Sequence, residues 1–215
     1  MEARQLAILE AMGVDAYILR AQAPVERADA PDWTTLAAKV RECRLCGLCE
    51  TRTQTVFGTG NQRARLMVIG EAPGAEEDRQ GEPFVGRAGI LLNSMLRAAG
   101  FERGEVYIAN VLKCRPPQNR DPSREETERC LPYLRRQIEL IRPAAILCVG
   151  RIAAQRLLGT EQPLARLRGR VLRLGDVPVI VTYHPAYLLR SPGEKRKSWE
   201  DLKLALGVLA NGNGA

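Results

Sequence analysis

The chain has 215 residues, 45% of them hydrophobic and 27% charged, which is enough for one folded domain with a full core. No apolar run is nearly as long as the roughly 18 residues that a membrane-spanning helix needs, and the first residues lack a signal-peptide pattern. We therefore expect no membrane association and a cytoplasmic location. The net charge of +7 suits a polyanionic partner but is too small to identify one.

The N-terminal region is predicted to be helical. Hydrophobic spacing predicts a short helix within residues 4–20, followed by a linker rich in alanine and proline over 21–32. Asp32 stands in the capping position of a second helix that extends to about Val40. No catalytic motif is evident in residues 1–41, which we treat as an N-terminal helical extension.

From residue 65 onward, apolar strands alternate with helices. Strands are predicted at 65–70, 106–110, 144–149 and 177–183, with a hairpin partner at 170–174. Helices are predicted at about 88–99, 124–141, 151–158 and 194–209, and residues 211–215 are expected to be disordered. This alternation predicts a parallel sheet with helices on both faces.

The stretch 66–89 is the centre of the predicted site. Its strand ends at Gly70, and the following segment is so rich in glycine, proline and carboxylates that we predict a long shaped loop without helix or strand. Such a loop lies where parallel sheets place their ligands. The next helix is expected to begin near Ala88, so that its amides and Arg87 would suit an anion such as phosphate.

Polar residues follow the ends of three predicted strands, at Glu71, Asn110 and His184. Because the carboxyl ends of parallel strands share one edge, these residues are expected to converge on one cleft. A lone histidine is more often structural, but His184 stands at a strand end before a proline, which favours catalysis or ligand binding. The Asn110 amide can donate and accept in one plane, which suits reading the edge of a base.

The cysteine spacing predicts a metal site. Cys43 and Cys46 form one pair, C-x2-C, and Cys114 and Cys130 form a second, C-x15-C. Four thiolates on loop segments suit zinc or an iron–sulfur cluster, and the spacing does not separate the two. Cys49 extends the first pair towards ferredoxin-like ligation but leaves one thiol spare.

Two further features concern the remaining cysteine and the loop between the second cysteine pair. Cys148 lies in an apolar strand, which favours a buried, inert thiol. The loop between the second pair is basic, and a metal at its ends would hold its cations where a phosphate backbone can lie. These cations are Lys113, Arg115, Arg120, Arg124 and Arg129.

Four motifs together carry a resemblance to a known family: Gly-Glu-Ala-Pro-Gly-Ala-Glu-Glu-Asp at 70–78, Pro-Phe-Val-Gly-Arg-Ala-Gly at 83–89, Asn-Val-Leu-Lys-Cys-Arg-Pro-Pro-Gln-Asn-Arg at 110–120, and His-Pro-Ala-Tyr-Leu-Leu-Arg at 184–190. They resemble the iron–sulfur (family 4) uracil-DNA glycosylases. The resemblance implies a three-layer α/β/α fold with a central four-stranded parallel sheet over residues 42–210. It also implies a structural 4Fe-4S cluster, with Cys43, Cys46, Cys114 and Cys130 as ligands.

The resemblance further implies a pocket for deoxyuridine flipped out of DNA. Phe84 would stack on the uracil, Asn110 would bind its O4 and N3–H edge, and His184 would stabilise charge that develops on O2. The implied uracil-binding residues are Glu71, Ala72, Pro73, Phe84, Asn110 and His184.

The resemblance also suggests the DNA contacts. Leu188, with Leu189 adjacent, would fill the gap left in the base stack, and Arg190 would contact phosphate. Other expected DNA-binding cations are Arg115 and Arg120, with Lys195, Arg196 and Lys197 as further candidates.

The residue that orients water is open in this chain. Ala72 occupies the position of an activating aspartate in other uracil-excising relatives. Glu71 is then the nearest catalytic candidate, and Glu77 and Asp78 are less favoured. Glu77 is an alternative candidate for excluding the 5-methyl group of thymine.

The expected protein is a monomeric, monofunctional hydrolase that acts on uracil in single- or double-stranded DNA and leaves an abasic site. One alternative captures uracil in a covalent adduct, but that group uses a histidine in the basic loop, where this chain has none. The other is a non-catalytic zinc-ribbon-like DNA module, which would leave the convergence of Phe84, Asn110 and His184 unexplained.

Overall fold

A computed structural model describes residues 32–211 of the chain. Its strands are β1 (Thr59–Gly60), β2 (Leu66–Gly70), β3 (Tyr107–Asn110), β4 (Ala145–Val149), β5 (Val171–Leu174) and β6 (Val177–Thr182). They form one sheet in the order β1-β3-β2-β4-β6-β5. The four inner strands β3, β2, β4 and β6 are parallel, and the edge strands β1 and β5 are antiparallel to their neighbours.

The predicted four-stranded parallel sheet is therefore confirmed, together with the β5–β6 hairpin. The two-residue strand β1 was not predicted, because two residues are too short to show a strand pattern. It adds an antiparallel edge strand beside β3.

Nine helices of the α type lie among the described residues. They are α1 (Trp33–Arg41), α2 (Leu48–Thr51), α3 (Ala75–Gln80), α4 (Arg87–Ala98), α5 (Arg124–Ile141), α6 (Arg151–Leu158), α7 (Leu164–Leu167), α8 (Pro185–Arg190) and α9 (Lys195–Asn211). The longer ones match the predicted helices within two residues. None of the helices in residues 32–211 is long and apolar enough to cross a membrane.

Helix α3 corrects the expectation of a loop without regular structure after Gly70. Three carboxylates stand in its first turn, where they interact favourably with the helix dipole. The Glu77 carboxylate accepts a hydrogen bond from the Gly74 amide at 3.1 Å and caps the first turn. Gly81 ends the helix in the left-handed region, with φ of 79°.

The sheet separates two hydrophobic cores, which gives the predicted three-layer α/β/α arrangement. Met67 and Ile69 of β2 contribute to the core beneath α5, α6 and α7. Leu66 and Val68 contribute to the opposite core beneath α4 and α9. Every residue of β2 and β4 is buried, as expected for parallel strands covered on both faces.

Helix α1 packs with the core, although the sequence analysis assigned residues 1–41 to an extension. Its Leu36 and Val40 are buried. The Trp33 ring makes edge contacts with Phe57 and Tyr107, each at a centroid distance of 5.2 Å. We therefore include α1 in the folded domain. The predicted helix within 4–20 lies outside the described residues, and α9 extends one residue into the predicted tail.

Candidate active site

A cavity of about 500 Å³ opens at the carboxyl edge of the parallel strands, within the size range of small-molecule sites. We call it the active-site cavity. It brings together all six of the predicted base-binding residues, Glu71, Ala72, Pro73, Phe84, Asn110 and His184. Among the predicted DNA contacts, Arg120 and Arg190 also line it, whereas Leu188, Leu189 and Arg115 do not.

The phenyl and imidazole rings share this cavity. The ring centroids of Phe84 and His184 are 5.7 Å apart, with 32° between the ring planes. Gly70 lies directly beneath, where an added Cβ would be 2.6 Å from the Phe84 ring and would collide with Asn110 Oδ1. Only glycine at this strand end therefore allows the three side chains to meet.

The Glu77 carboxylate organises the loop that carries Phe84. Besides its bond to Gly74, it accepts hydrogen bonds from the amides of Val85 and Gly86, both at 3.0 Å. These amides precede α4, so Glu77 itself fills the anion site expected at the start of that helix. Its three amide partners make Glu77 a scaffold of the cavity wall.

Asp78 lies next to Glu77 in the chain but faces another part of the protein. Its buried carboxylate accepts hydrogen bonds from the Thr53 amide, at 3.0 Å from each oxygen. It does not line the active-site cavity. Asp78 is therefore excluded as the residue that orients water.

Asn110 presents an unused acceptor to the cavity. The residue is 2% exposed, and its Oδ1 makes no hydrogen bond within residues 32–211. A buried acceptor without a partner costs about 1–3 kcal/mol. Because Asn110 lines the active-site cavity, this acceptor is available to an N–H group of a ligand bound there.

Lys113 fixes the backbone of Asn110 from behind. Its ammonium donates to the Asn110 carbonyl oxygen at 2.9 Å and to Gln137 Oε1 at 2.7 Å. The side chain is fully buried, and burial lowers the pKa of Lys113 to about 8 against the opposing effect of the Cys130 and Cys114 thiolates. Lys113 therefore does not contribute to a basic DNA-binding surface, which corrects its inclusion among the exposed cations.

His184 is set up as a neutral donor. It follows β6 and caps α8, where its Nδ1 accepts a hydrogen bond from the Ala186 amide at 3.1 Å. With Nδ1 as acceptor, the proton of the neutral ring is on Nε2. Burial, assisted by the positive charge of Arg190, lowers the pKa of His184 to about 4. At neutral pH the ring therefore offers an N–H group and carries no charge.

Glu71 lines the cavity, and its carboxyl group has a shifted pKa. Burial raises the pKa of Glu71 to about 7, and the Asp121 carboxylate adds to this shift. The positive charges of Arg151 and Arg156 oppose it. A carboxylate with a pKa near the working pH is suited to accept a proton from water or to orient it.

The structure corrects the choice of leucine for insertion into DNA. Leu188 is 1% exposed and lines a groove with residues of α4 and α9, so it cannot enter a base stack without leaving this packing. Leu189, next in the chain, is 39% exposed. Tyr187 is also exposed and stacks on Tyr183 at a centroid distance of 5.0 Å.

The predicted DNA-binding arginines differ in whether their guanidinium groups already have partners within the protein. Arg190 makes no hydrogen bond or ion pair with any residue of the described part of the chain and lines the cavity. Arg120 forms a double hydrogen bond with the Glu126 carboxylate, at 2.9 and 2.5 Å. Arg115 donates to Asn119 Oδ1 at 2.8 Å. Arg190 is therefore the cation with an uncommitted charge at the cavity.

The paired cysteines lie together at a second location, which we call the cysteine pocket. It is lined by Cys43, Cys46, Cys49, Cys114 and Cys130. Arg52 donates to Cys114 Sγ at 2.9 Å, and the Lys113 amide donates to Cys130 Sγ at 3.2 Å. In residues 32–211, no three histidine, cysteine or acidic side chains approach closely enough to enclose a single metal ion.

Cys148 is separate from this pocket. It is fully buried in β4, where burial raises the pKa of its thiol to about 12. The prediction of a buried thiol is confirmed.

Three residues near these sites were not predicted. Asp121 lines the active-site cavity and pairs with Arg151 at 3.6 Å. Arg52 contacts a thiol, and its position three residues after Cys49 is a signal that was available in the sequence. Arg103 binds the loop that carries Phe84, and no sequence motif marks it.

Comparison with known proteins places these features in a family. Residues 57–203 match the family model described as "Uracil DNA glycosylase superfamily". A type-4 uracil-DNA glycosylase of Archaeoglobus fulgidus is 46% identical over 78% of this chain and 88% of its own length. Proteins of the same name are 41% identical in Pyrobaculum aerophilum, over 82% and 94%, and 43% identical in Thermotoga maritima, over 79% and 91%.

Proposed function

The chain belongs to type 4 of the uracil-DNA glycosylase superfamily, and from this membership we propose that it removes uracil from DNA. It hydrolyses the N-glycosidic bond and leaves an abasic site. The observation that carries the proposal is the single cavity shared by Phe84, Asn110 and His184. The test is release of free uracil from a uracil-containing oligonucleotide, with strand breakage only after alkaline treatment. Breakage without alkali would indicate an additional lyase step.

The cavity suits a uracil base that has left the helix. Extrusion costs a few kcal/mol of unstacking, which stacking and edge contacts in the pocket offset. Phe84 provides the stacking surface. Asn110 Oδ1 accepts from uracil N3–H, and its amide nitrogen donates to O4. Cytosine presents the opposite pattern at both atoms, so the amide in this orientation does not match it.

His184 stabilises the departing base. As the bond breaks, negative charge develops on uracil O2, and the Nε2–H group of His184 donates to that oxygen. A neutral donor forms this bond most strongly when the charge is present, so it favours the transition state over the bound substrate. Its contribution is expected to be about 2.7–4 kcal/mol.

Glu71 orients the attacking water in this mechanism. Its carboxylate form is required, and its pKa is about 7. The rate of uracil release should therefore rise as the pH rises through about 7 and then level off. The measurement is the pH profile of the single-turnover rate constant for uracil release.

The matched variant is Glu71→Gln, which keeps the shape and loses the titration. Its turnover should fall by about 10²-fold or more, a typical contribution of general base catalysis, and its profile should lose the limb near pH 7. Near-full turnover by Glu71→Gln would remove this residue from the chemistry.

Cys43, Cys46, Cys114 and Cys130 are proposed to hold a 4Fe-4S cluster. The four thiols line one pocket, and four cysteine thiolates are a usual ligand set of such a cluster. The bonds from Arg52 and from the Lys113 amide to sulfur are of the kind that supports such ligands. Hydrolysis transfers no electrons, so the cluster would serve to fix the ligand-bearing segments.

The cysteine assignment is tested by iron and sulfide content. Alanine at any of the four ligand positions should yield protein with little bound iron and reduced thermal stability. The matched controls are Cys49→Ala, in the same pocket, and Cys148→Ala, in β4; both should keep full iron content. Loss of iron from Cys49→Ala with retention in a ligand variant would reassign the ligand set.

Leu189 is proposed to fill the gap left by the extruded base, and Arg190 to contact the adjacent phosphate. Leu189→Ala should lower excision from double-stranded DNA by about tenfold, since burial of a leucine is worth about 1.5–3 kcal/mol. Single-stranded DNA has no stack to fill, so its excision should change less than twofold. Equal losses on both substrates would exclude this role.

The control for this experiment is Leu188→Ala. Because Leu188 is buried, its truncation should lower the free energy of unfolding by about 2–5 kcal/mol without a selective effect on duplex substrate. All six proposed base-binding residues come from one chain, and the enzyme is expected to act as a monomer.

A further inference from the structure

Arg103 holds the backbone that carries Phe84. It lies in the connection between α4 and β3, outside the active-site cavity. Its guanidinium donates to the Pro83 carbonyl oxygen at 2.6 Å and to the Phe84 carbonyl oxygen at 3.3 Å. It also donates to Asn93 Oδ1 on α4 at 3.0 Å. One side chain thus ties two successive carbonyls of the cavity loop to a helix.

The backbone at Phe84 needs such support. Phe84 has a φ of 54°, in the left-handed region that residues with a bulky side chain seldom adopt. Conformations of this kind persist only where surrounding contacts hold them, and they concentrate at functional sites. Relaxation of this φ would turn the phenyl ring away from His184 and Asn110.

Contacts restrain the loop on both sides of Phe84. The Glu77 carboxylate binds the next two amides, at Val85 and Gly86. On the carbonyl side, Gly89 of α4 approaches the Phe84 carbonyl group so closely that a Cβ there would collide with it. Arg103 restrains the carbonyl side of Phe84, because its guanidinium donates to the carbonyl oxygens of both Pro83 and Phe84.

The planar fork distinguishes arginine from lysine at this position. A guanidinium presents several N–H groups in fixed directions and can bind three acceptors at once, whereas an ammonium is a compact point charge on a flexible stem. Arg103→Lys therefore keeps the charge and loses the geometry. Because Arg103 does not line the cavity, any effect on ligand binding must act through the loop.

We propose that Arg103 is a positioning residue for uracil recognition, which holds Phe84 in the orientation that stacks on the base. The inference rests on the proposed function, since it specifies which residue determines the stacking surface of that same site. Base affinity then depends on a residue that never touches the base.

A double-mutant cycle tests this coupling. The four proteins are the wild type, Arg103→Lys, Phe84→Leu and the double variant, and the measurement is equilibrium binding of radiolabelled free uracil. In the wild-type background, Arg103→Lys should weaken uracil binding by about tenfold. The difference between the two backgrounds is the coupling, and its expected size is that found between directly contacting residues. In the Phe84→Leu background the same change should cost less than twofold.

The matched control is Arg97→Lys, an exposed arginine on α4 whose nearest acidic partner, Glu102, is 3.8 Å away. It should leave uracil affinity within twofold of wild type. Thermal unfolding of each variant defines the temperature at which all are folded. Should Arg103→Lys fail to fold, Asn93→Ala, which removes one anchor of the guanidinium, replaces it in the same cycle.

Two results would overturn the proposal. One is unchanged uracil affinity in the folded Arg103→Lys or Asn93→Ala variant. The other is an equal loss in both backgrounds, which would mean that the residue acts independently of Phe84. Failure of the wild type to bind or excise uracil would instead contradict the proposed function, so the two failures are distinguishable.

Discussion

Replacement of His184 by alanine should lower kcat for uracil release by about 10²–10³-fold, the loss typical of one preorganised transition-state donor. Affinity for free uracil should change little, because the donor acts on charge that develops only as the bond breaks. Single-turnover kinetics and equilibrium binding of uracil give the two quantities separately.

His184→Gln is the conservative control, since its amide retains an N–H donor near the same position. It should recover part of the lost rate. A loss of uracil affinity equal to the loss of kcat would contradict the assignment, because it would mean that His184 binds substrate and transition state equally.

The neutral state of His184 should affect how the stability of the protein depends on pH. Its pKa is lowered from 6.5 to about 4, so between these values the unfolded chain binds a proton that the folded chain does not. The stability contributed by burying the neutral ring is therefore present above about pH 6.5 and is lost as the pH falls towards 4. The His184→Gln variant should not show this loss of stability as the pH falls.

Replacement of Asn110 by leucine should lower kcat/KM for uracil by about 10³-fold. Two edge hydrogen bonds are lost, and the polar edge of the base would be buried without partners, at about 1–3 kcal/mol for each group. The free protein should not lose stability, because Oδ1 has no partner to lose. Excision kinetics and thermal unfolding measure the two effects.

Gln137→Leu is the matched control, because it also removes a buried amide. The Gln137 side chain accepts from Lys113 and donates to the Phe57 carbonyl oxygen and to the Tyr107 hydroxyl. This variant should lower the free energy of unfolding, whereas Asn110→Leu should not. A large loss of stability in Asn110→Leu would show that its amide is structural.

The fold was accessible from sequence because its signals are long and local. Buried strands such as 145–149 are continuous apolar runs, and helix 124–141 has a capping box at Ser123 that marks its start. The strand ends also indicated that Asn110 and His184 converge, since parallel strands place their carboxyl ends together. Strand β1 and helix α3 are too short to carry such a signal.

The remaining site details depend on side-chain direction, which spacing does not determine. Leu188 and Leu189 are adjacent in a six-residue helix, and only packing against α4 and α9 decides which is buried. Glu77 and Asp78 likewise face different segments, although both are acidic neighbours on α3. Lys113 looks like a surface cation in the sequence, yet it is buried between two sites.

These two sites are linked through one short segment. Cys114, a proposed cluster ligand, directly follows Lys113, and Lys113 holds the carbonyl group of Asn110. The strand that reads the base therefore continues into the segment that the cluster would fix. Residues 110–114 therefore contain both a proposed base-binding residue and a proposed cluster ligand.

The most direct test of the account is a crystal structure of the protein with uracil bound. We expect a uracil ring stacked on Phe84, with N3 within hydrogen-bond distance of Asn110 Oδ1 and O2 within hydrogen-bond distance of His184 Nε2. Uracil bound elsewhere, or in this cavity without contact to His184, would contradict it.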